Sequence, residues 1–283
     1  DNEDVIMQNI RQMHLQVPDF KGLTLEEVVE NVNQRIAHRT EIYEPVSNEE
    51  GSYIRMFDMG RKIHTYHLTN YLSQRITFFL TNLQTSERSI YLTRHGQSEY
   101  NAQDRVGGDA PLTQKGQEYA ERLSKWIGEN LDITDSNLQV WTSCLKRACE
   151  TAKHINLPKL KIRALDEIDT GDCDGMTYSE IAEKLPHEYS ARISNKFSYR
   201  YPRGESYADL IQRLEPVVFE LERQKNPIII VGHQAVLRCI YSYFMDIPQE
   251  QIPFVPMPLH CITKLTPRAY DYQMEKFQLL DSC

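Results

Sequence analysis

The hydrophobic pattern changes partway along the chain, near the polar run at residues 85–88. Before that run, apolar residues recur every three or four positions over Leu23 to Ala37 and over His67 to Leu83, which predicts two amphipathic helices. Between them, Tyr53 to Phe57 alternates as a strand does, and the pattern stops at Gly60. We find no internal repeat, so the run at 85–88 is the best candidate for a domain boundary.

After residue 88 the pattern predicts strands that alternate with amphipathic helices. The predicted strands are Ser89 to Thr93, Leu138 to Thr142, Lys161 to Leu165 and Ile228 to Val231, and the predicted helices are Thr113 to Asn130 (with Thr113 as its cap), Ser143 to His154, Tyr207 to Arg223 and Ala235 to Phe244. The predicted fold class is therefore α/β, a mainly parallel sheet flanked by helices on both faces and preceded by a partial α/β segment. The stretch with Pro253, Pro256 and Pro258 is predicted to be an irregular loop and not a recognition motif.

Length and composition agree with this division. A chain of 283 residues corresponds to about two domains or one large one, and 40% hydrophobic residues are enough for a core. No apolar run approaches the roughly 18 residues that span a bilayer, so the protein is predicted to be soluble. The net charge of −8 argues against a general affinity for nucleic acid, and any anionic ligand would need a local cluster of cations.

The six cysteines form no CxxC pair and no dense framework. In a chain of this length they are typical of reduced thiols, which favours a cytoplasmic protein. The first residues, Asp1 to Asp4, are acidic and lack the order of a signal peptide, and there is no initiator Met. We therefore expect the sequence to be a fragment of a longer chain.

Charged or titratable residues follow each predicted strand of the second region. Arg94 and His95 follow the first strand, Arg147 lies just beyond the second, Glu167 beyond the third and His233 beyond the last. Because ligands of such sheets bind beyond the carboxyl ends of the strands, we expect these side chains to converge. Taken singly, Arg147 is better explained as a surface cation and Glu167 as a loop carboxylate, and His233 could equally be a core histidine. Chance is a poor explanation, however, for charged or titratable residues at the ends of all four predicted strands.

These residue types suit phosphoryl transfer through histidine. Arginine offers a planar bidentate fork for phosphate oxygens, and a neutral imidazole can attack phosphorus to form a covalent intermediate. A carboxylic acid can protonate the leaving alkoxide and then act as base for the hydrolytic water. This chemistry requires no metal, and the sequence has no HExxH or EF-hand pattern. His64 and His67 are expected at the solvated start of a helix.

Several stretches together resemble one family. They are Leu92 to Gly96 directly after a strand, its continuation to Asn101, and residues 107–109, 141–147, 166–169, 175–178, 199–207, 213–216 and 233–239. The first resembles the signature of the histidine phosphatase (phosphoglycerate mutase-like) superfamily. The whole set, which covers essentially residues 89–265, is similar to the bisphosphatase half of the 6-phosphofructo-2-kinase/fructose-2,6-bisphosphatase family.

The resemblance implies a phosphatase that removes the 2-phosphate of β-D-fructose 2,6-bisphosphate and so regulates glycolysis against gluconeogenesis. It implies His95 as the phosphohistidine nucleophile and Glu167 as the proton donor and then the base. The other implied site residues are Arg94, Arg147 and His233 for the transferred phosphoryl group with Asn101 nearby, and Gly107, Tyr178, Arg192, Lys196, Tyr207, Gln234 and Arg238 for the sugar and its 6-phosphate. Without the resemblance, Tyr178 and Tyr207 would be interpreted as residues that open helices, and Lys196 as a solvated cation.

Residues 1–88 resemble the end of the family's kinase half, as at 42–45 and 54–60. The expected domains are therefore 1–88, the C-terminal remnant of a 6-phosphofructo-2-kinase domain, and 89–283, the bisphosphatase domain. No glycine begins a GxxxxGK[ST] loop. Arg35 of the family's kinase sugar site is kept, but Arg39 stands where that site has tyrosine, so this chain is not expected to make the bisphosphate.

The resemblance also implies the partners. The phosphatase reaction needs no cofactor, and ATP and Mg would serve only the missing kinase part. The expected partners are the sugar phosphate, the parent's own kinase half and a second copy in a homodimer, with no nucleic acid and no membrane.

Two departures from the family's pattern, Gln97 in place of Glu and Gly232 in place of Ser, remove no catalytic group. The alternatives are a phosphoglycerate mutase-like or broad-specificity phosphatase, and a non-catalytic regulatory module that binds the sugar phosphate.

Overall fold

The computed structural model describes residues 6–7, 9–11, 14, 17–57, 62–82, 88–132, 138–268 and 271–281. The chain divides into two compact units, one of residues 1–86 with 268–271 and the other of residues 87–267 with 272–283. Of the predicted boundary at 85–88, only Arg88 lies within the described residues. Every helix within these ranges is too short or too polar to cross a membrane.

The first unit includes two helices that the structure describes from end to end and a two-stranded sheet. Its elements are a 3₁₀ turn at Pro18–Phe20, helix α1 (Leu25–Ile42), a 3₁₀ turn at Asn48–Glu50, strands β1 (Tyr53–Phe57) and β2 (Lys62–Tyr66), and helix α2 (Tyr71–Asn82). Helix α1 begins with a capping box, in which Thr24 Oγ1 accepts from the backbone of Glu27 and the Glu27 carboxylate accepts from the backbone of Thr24. Val28 and Val32 of α1 pack with Ile10 and Phe20 in a small core.

The two helices and the strand predicted for this region are confirmed, whereas β2 was not predicted. The expectation that His64 and His67 open a helix was wrong. His64 lies in β2 opposite Arg55 of β1, and His67 follows the strand with φ of +51°. The helix begins after Asn70, whose Oδ1 accepts from the backbone of Ser73 at 2.8 Å. Gly60 and Leu83 lie outside the described residues.

The second unit is built on a six-stranded sheet. Its strands are β3 (Ile90–Arg94), β4 (Gln139–Thr142), β5 (Lys159–Lys161), β6 (Ile228–Gly232), β7 (Cys261–Pro267) and β8 (Tyr272–Gln278). The order across the sheet is β5-β4-β6-β3-β7-β8. The first four of these are parallel, and β7 runs antiparallel to β3 and β8. Arg94 of β3 lies opposite Gly232 of β6, so the two central strands end side by side.

Helices cover both faces of this sheet, which confirms the predicted fold class. The helices of this unit, within the described residues, are α3 (Glu99–Ala102), α4 (Gln114–Asn130), α5 (Lys146–Thr151), α6 (Tyr178–Lys184), α7 (Pro186–Ser194), α8 (Tyr207–Arg223) and α9 (Gln234–Phe244). Alternate residues of β3 point to opposite faces, as expected for a strand. Ile90 and Leu92 pack with α8 and α9 in one core cluster, and Tyr91 packs with α4 and α5 in another.

Several predicted elements differ from those in the structure. The predicted strand at Lys161 to Leu165 was wrong: pairing with β4 ends at Lys161, and a 3₁₀ turn at Arg163–Leu165 carries Leu165 into the core. Helix α5 is shorter than the predicted Ser143 to His154. The stretch with Pro253, Pro256 and Pro258 is irregular over residues 255–258, as predicted, but Pro253 belongs to a 3₁₀ helix over Gln249–Phe254. Strands β7 and β8 and helices α6 and α7 were not predicted.

Candidate active site

The loop after β3 holds His95 in a fixed orientation. The backbone N–H of His95 donates to Gly232 O at 3.0 Å, and its side chain is 2% exposed. Its Nδ1 lies 2.7 Å from Gly96 O. Because a carbonyl oxygen can only accept, Nδ1 carries the proton and Nε2 keeps its lone pair. Gly96 is required here because a Cβ would lie 2.5 Å from the carbonyl oxygen of Gly116 in the first turn of α4.

Two arginines lie beside this imidazole. Arg147 Nε donates to His95 Nε2 at 3.2 Å, and its Nη1 donates to Gly108 O at 2.7 Å. Arg94 donates from Nη1 to Met257 O at 2.9 Å. Burial, followed by the charges of Arg147 and Arg94, holds the pKa of His95 well below its ordinary value. The imidazole is therefore neutral at neutral pH. Burial lowers the pKa of Arg94 to about 10, so its guanidinium stays charged.

His233 is the second histidine of this group. It is fully buried, and its ring centroid lies 5.0 Å from that of His95. Its Nε2 is 2.7 Å from Ser143 Oγ, and its Nδ1 has no hydrogen-bond partner among the described residues. Burial and the neighbouring His95 lower the pKa of His233. Ser143 was not predicted as a site residue, because nothing in the sequence links it to a residue 90 positions away.

The side chain of Glu167, which follows the turn after β5, lies in the same site as His95 and the two arginines. Its Oε1 accepts from the backbone of Ile168 at 3.0 Å and of Ala235, in the first turn of α9, at 3.2 Å. The loop that carries it is held by Arg213 of α8, whose Nη1 donates to the carbonyls of Ala164 and Asp166 at 2.8 and 3.0 Å. Nη2 of Arg213 lies 3.3 Å from the carbonyl oxygen of Glu167.

Arg213 is in turn fixed by Glu205. The Nε of Arg213 donates to Glu205 Oε1 at 2.7 Å and its Nη2 to Oε2 at 2.8 Å, a bidentate pair. Arg213 appeared in the sequence only as part of a family stretch, and its contact with the Glu167 loop could not be predicted.

A cavity of about 590 Å³ opens onto these groups. All predicted site residues except the fully buried His233 line it; they are Arg94, His95, Asn101, Gly107, Arg147, Glu167, Tyr178, Arg192, Lys196, Tyr207, Gln234 and Arg238. Gly107 has φ of +70°, and a Cβ there would collide with the Asp174 carboxylate. The side chain of Asn101 caps α3: its Oδ1 accepts from the backbone and the hydroxyl of Ser98, both at 3.0 Å.

Two of the cations that line the cavity contact tyrosines. Arg192 donates from Nε to Tyr201 OH at 2.9 Å and from Nη2 to Tyr178 OH at 2.8 Å, and it lies over the Tyr178 ring. Arg238 donates to Tyr207 OH at 3.1 Å. Tyr178 and Tyr207 are indeed the first residues of α6 and α8, and they also line the cavity. The helical interpretation is confirmed for both residues, and their contact with the sugar stays a prediction.

The wall of the cavity is strongly positive although the chain as a whole is negative. Its charged residues are the cations Arg94, Arg105, Arg147, Arg192, Lys196 and Arg238 and the carboxylates Asp104 and Glu167. Burial, and then the charges of Arg238 and Arg192, lower the pKa of Lys196 to about 8. Within the described ranges, no three His, Cys, Asp or Glu side chains are grouped as they would be to hold a metal ion. The arrangement suits an anion that carries several negative charges.

A neutral imidazole whose Nε2 keeps its lone pair, flanked by guanidinium groups and a carboxylate at the ends of parallel strands, suits covalent chemistry at phosphorus in an α/β protein. The sequence model of the histidine phosphatase superfamily (branch 1) matches residues 90–279. The chain belongs to this superfamily. A second sequence model, that of 6-phosphofructo-2-kinase, matches residues 1–87.

Curated relatives are similar over nearly the whole chain. A 6-phosphofructo-2-kinase/fructose-2,6-bisphosphatase of Gallus gallus is 43% identical over 282 residues, which is 99% of this chain and 59% of the relative. A probable fructose-2,6-bisphosphatase of Schizosaccharomyces pombe is 43% identical over 271 residues, which is 95% of this chain and 66% of the relative. The chain thus spans less than two thirds of these relatives. Among solved structures, YhfR of Bacillus stearothermophilus is similar with 29% identity and a TM-score of 0.60, covering 69% of this chain and 98% of that chain.

Proposed function

We propose that the second unit hydrolyses the 2-phosphate of β-D-fructose 2,6-bisphosphate to fructose 6-phosphate and phosphate through a phosphohistidine. The observation that carries the proposal is the buried, neutral His95, whose Nδ1–H is bonded to Gly96 O and whose Nε2 faces Arg147. The similarity to relatives named fructose-2,6-bisphosphatase supports the choice of substrate.

In the first step His95 Nε2 forms a bond to phosphorus while the bond from phosphorus to the C2 oxygen breaks. Arg94 and Arg147 stabilise the charge on the equatorial oxygens, and Nδ1 of His233 supplies a further polar contact. Glu167 gives a proton to the leaving oxygen. Both backbone donors bond to its Oε1, so we assign that proton to Oε2.

In the second step water attacks phosphorus and the bond from nitrogen to phosphorus breaks. Glu167 takes a proton from the water, which returns the carboxylic acid, and His95 returns to its neutral form. The remaining phosphate and the sugar hydroxyls are held by other residues of the cavity wall, with Arg192, Lys196 and Arg238 as the cations and Tyr178, Tyr207, Gln234 and the backbone of Gly107 as the polar contacts. Asn101 is proposed to lie beside the transferred phosphoryl group. The reaction is proposed to proceed without a cofactor.

The remaining predictions are proposals for a longer protein with the extent of the curated relatives. Residues 1–88 would belong to a kinase domain, as the match to 6-phosphofructo-2-kinase supports, and 89–283 would form the bisphosphatase domain. Such a protein would regulate glycolysis in the cytoplasm, with its own kinase half and a second copy as partners. For such a longer protein we expect sedimentation to report a homodimer, and a monomer would contradict that expectation.

Single-turnover labelling tests the reaction. With substrate labelled in its 2-phosphate, we expect transient label on the wild-type protein, none on His95→Ala, and accumulation of label on Glu167→Gln because release needs the base. His187→Ala, which changes an exposed histidine of α7, should behave as wild type. Rapid hydrolysis by the His95 variant would contradict the mechanism. Faster turnover of phosphoglycerates than of the fructose ester would favour the mutase-like alternative, and binding without label would favour the regulatory module.

A further inference from the structure

Three cations of the cavity wall donate to one short stretch of backbone. The pairs are Lys196 Nζ with Pro253 O at 3.0 Å, Arg238 Nε with Val255 O at 2.7 Å, and Arg94 Nη1 with Met257 O at 2.9 Å. The acceptors are alternate residues of the 253–257 segment. The cations come from three separate places, the loop after α7, helix α9 and the end of β3. One segment therefore accepts hydrogen bonds from three cations that line the same cavity.

The residues that supply these carbonyls are anchored in the core. Val255 and Met257 are 7% and 5% exposed and belong to the core cluster that also contains residues of β3 and α9. Pro253 is buried as well, whereas the intervening Phe254 and Pro256 are exposed. The side chains thus fix the 253–257 segment to the sheet while its carbonyls accept from the cations.

The prolines restrict the backbone of this segment. Val255 precedes Pro256 and has φ of −59° and ψ of +125°, an extended conformation that the residue before a proline favours. Met257 precedes Pro258 and is restricted in the same way. These prolines end the 3₁₀ helix and keep the following residues extended, so the carbonyl positions are largely set before any ligand binds.

We propose that the 253–257 segment is a positioning element that sets the spacing between Arg94, Lys196 and Arg238 in the anion site. A carbonyl orients a guanidinium or ammonium group without cancelling its charge, which a carboxylate would do. The cations repel one another, and fixing them in advance reduces the ordering that binding requires. This proposal rests on the proposed function, since it assigns one phosphate to Arg94 and the other to Lys196 and Arg238. The segment would thereby favour a bisphosphate of matching length.

Pro256→Gly tests this role, because it removes an exposed side chain and the restriction on Val255 together. The matched control is Pro248→Gly, an exposed proline of the same connection whose carbonyl accepts from the backbone of Gln251. For each variant we would measure kcat and KM with fructose 2,6-bisphosphate, and the dissociation constant of inorganic phosphate by calorimetry. We expect Pro256→Gly to raise KM and the phosphate dissociation constant about five- to twentyfold with kcat changed less than threefold. Pro248→Gly should match the wild type.

A Pro256→Gly protein whose KM and phosphate dissociation constant are within twofold of the wild-type values would overturn the proposal. The proposal would also fail if Pro248→Gly raised these two constants as much as Pro256→Gly does. Circular dichroism checks folding, and if the glycine variant does not fold, Pro256→Ala carries the same test with a smaller expected loss. If the wild-type protein binds phosphate but does not hydrolyse the bisphosphate, the proposed function fails. In that case, the dissociation constants of inorganic phosphate for the wild-type and variant proteins decide whether the segment positions the cations.

Discussion

The ammonium group of Lys196 shares its part of the cavity with Arg238 and Arg192. Burial and these two charges lower its pKa to about 8, far below the ordinary value for lysine. A bound phosphate would favour the charged form and raise the pKa again. Substrate affinity should therefore be greatest below pH 8 and fall as Lys196 loses its proton above that pH.

We accordingly expect kcat/KM for the bisphosphate to decline above about pH 8. Lys196→Arg should abolish this decline, because a guanidinium group stays charged over this pH range. The test concerns the shape of the pH profile, and a lower maximal kcat/KM in the variant does not affect it. The measurement is kcat/KM from pH 6 to 9.5 for both proteins. A decline of equal size in the variant would assign the titration to another group.

The two departures from the family's pattern have simple local explanations. The Oε1 atom of Gln97 accepts from the hydroxyl of Thr113 at 2.9 Å, a bond that a glutamate could accept equally well. A serine Cβ at position 232 would lie 3.3 Å from Leu237, so Gly232 avoids a small displacement of that side chain. Neither substitution alters a group that contacts His95.

At the scale of elements, helix α8 positions the loop that carries Glu167. Its Arg213 donates to the carbonyls of Ala164, Asp166 and Glu167 and is itself held by Glu205. Arg213 does not line the cavity and acts through the loop. The geometry of its planar fork cannot be reproduced by an ammonium group.

Arg213→Lys should therefore lower kcat about ten- to hundredfold with KM within threefold. Because Glu167 serves in both steps, label should also accumulate on His95 during turnover, as expected for Glu167→Gln. Arg223→Lys, an exposed arginine at the end of the same helix, is the control. A variant that loses substrate affinity and keeps kcat would show that Arg213 has no role in positioning the acid.

The elements that sequence analysis predicted well are those with strong patterns. Strands β3 and β6 are short apolar runs, buried almost throughout, and α4 and α8 have clear helical spacing and side-chain caps. Strand β5 is exposed along its whole length, so its apolar pattern is weak and its bounds were misplaced. Strands β7 and β8 break the alternation of strand and helix because they form an antiparallel pair at the end of the chain.

At the scale of the whole molecule, a chain of net charge −8 builds a cavity lined by six cations and two carboxylates. The rule that ligands bind beyond the strand ends predicted where the charged residues would meet, and the structure brings them together there. The contacts that hold them were not predictable, since they involve backbone carbonyls, as at Pro253 and Met257, or a residue distant in sequence, as with Ser143 and His233.

Two fully buried histidines also make the stability of the second unit depend on pH. Burial lowers the pKa of both His95 and His233 below 6.5, so the unfolded chain binds protons that the folded chain does not. Stability is therefore fully present above pH 6.5 and decreases as the pH falls below it, by up to roughly tenfold in the folding equilibrium constant per pH unit for each histidine.

The fluorescence of Trp126 and Trp141, which both lie in this unit, can follow urea unfolding between pH 5 and 8. We expect the midpoint to be constant above pH 7 and to fall from pH 6.5 to 5. His233→Gln should reduce the slope of that fall. A midpoint that does not change over this range would show that the two imidazoles are protonated in the folded protein.

Strand β6 lies between β4 and β3 although it is synthesised long after both. Until residues 228–232 have left the ribosome, β3 and β4 have no neighbour on that side, and His95 lacks the Gly232 carbonyl that accepts its backbone N–H. The proposed nucleophile, His95, is thus translated early, but its backbone is fixed only after β6 has been made. A nascent chain that stalls before residue 232 carries the whole signature sequence without the pocket around it.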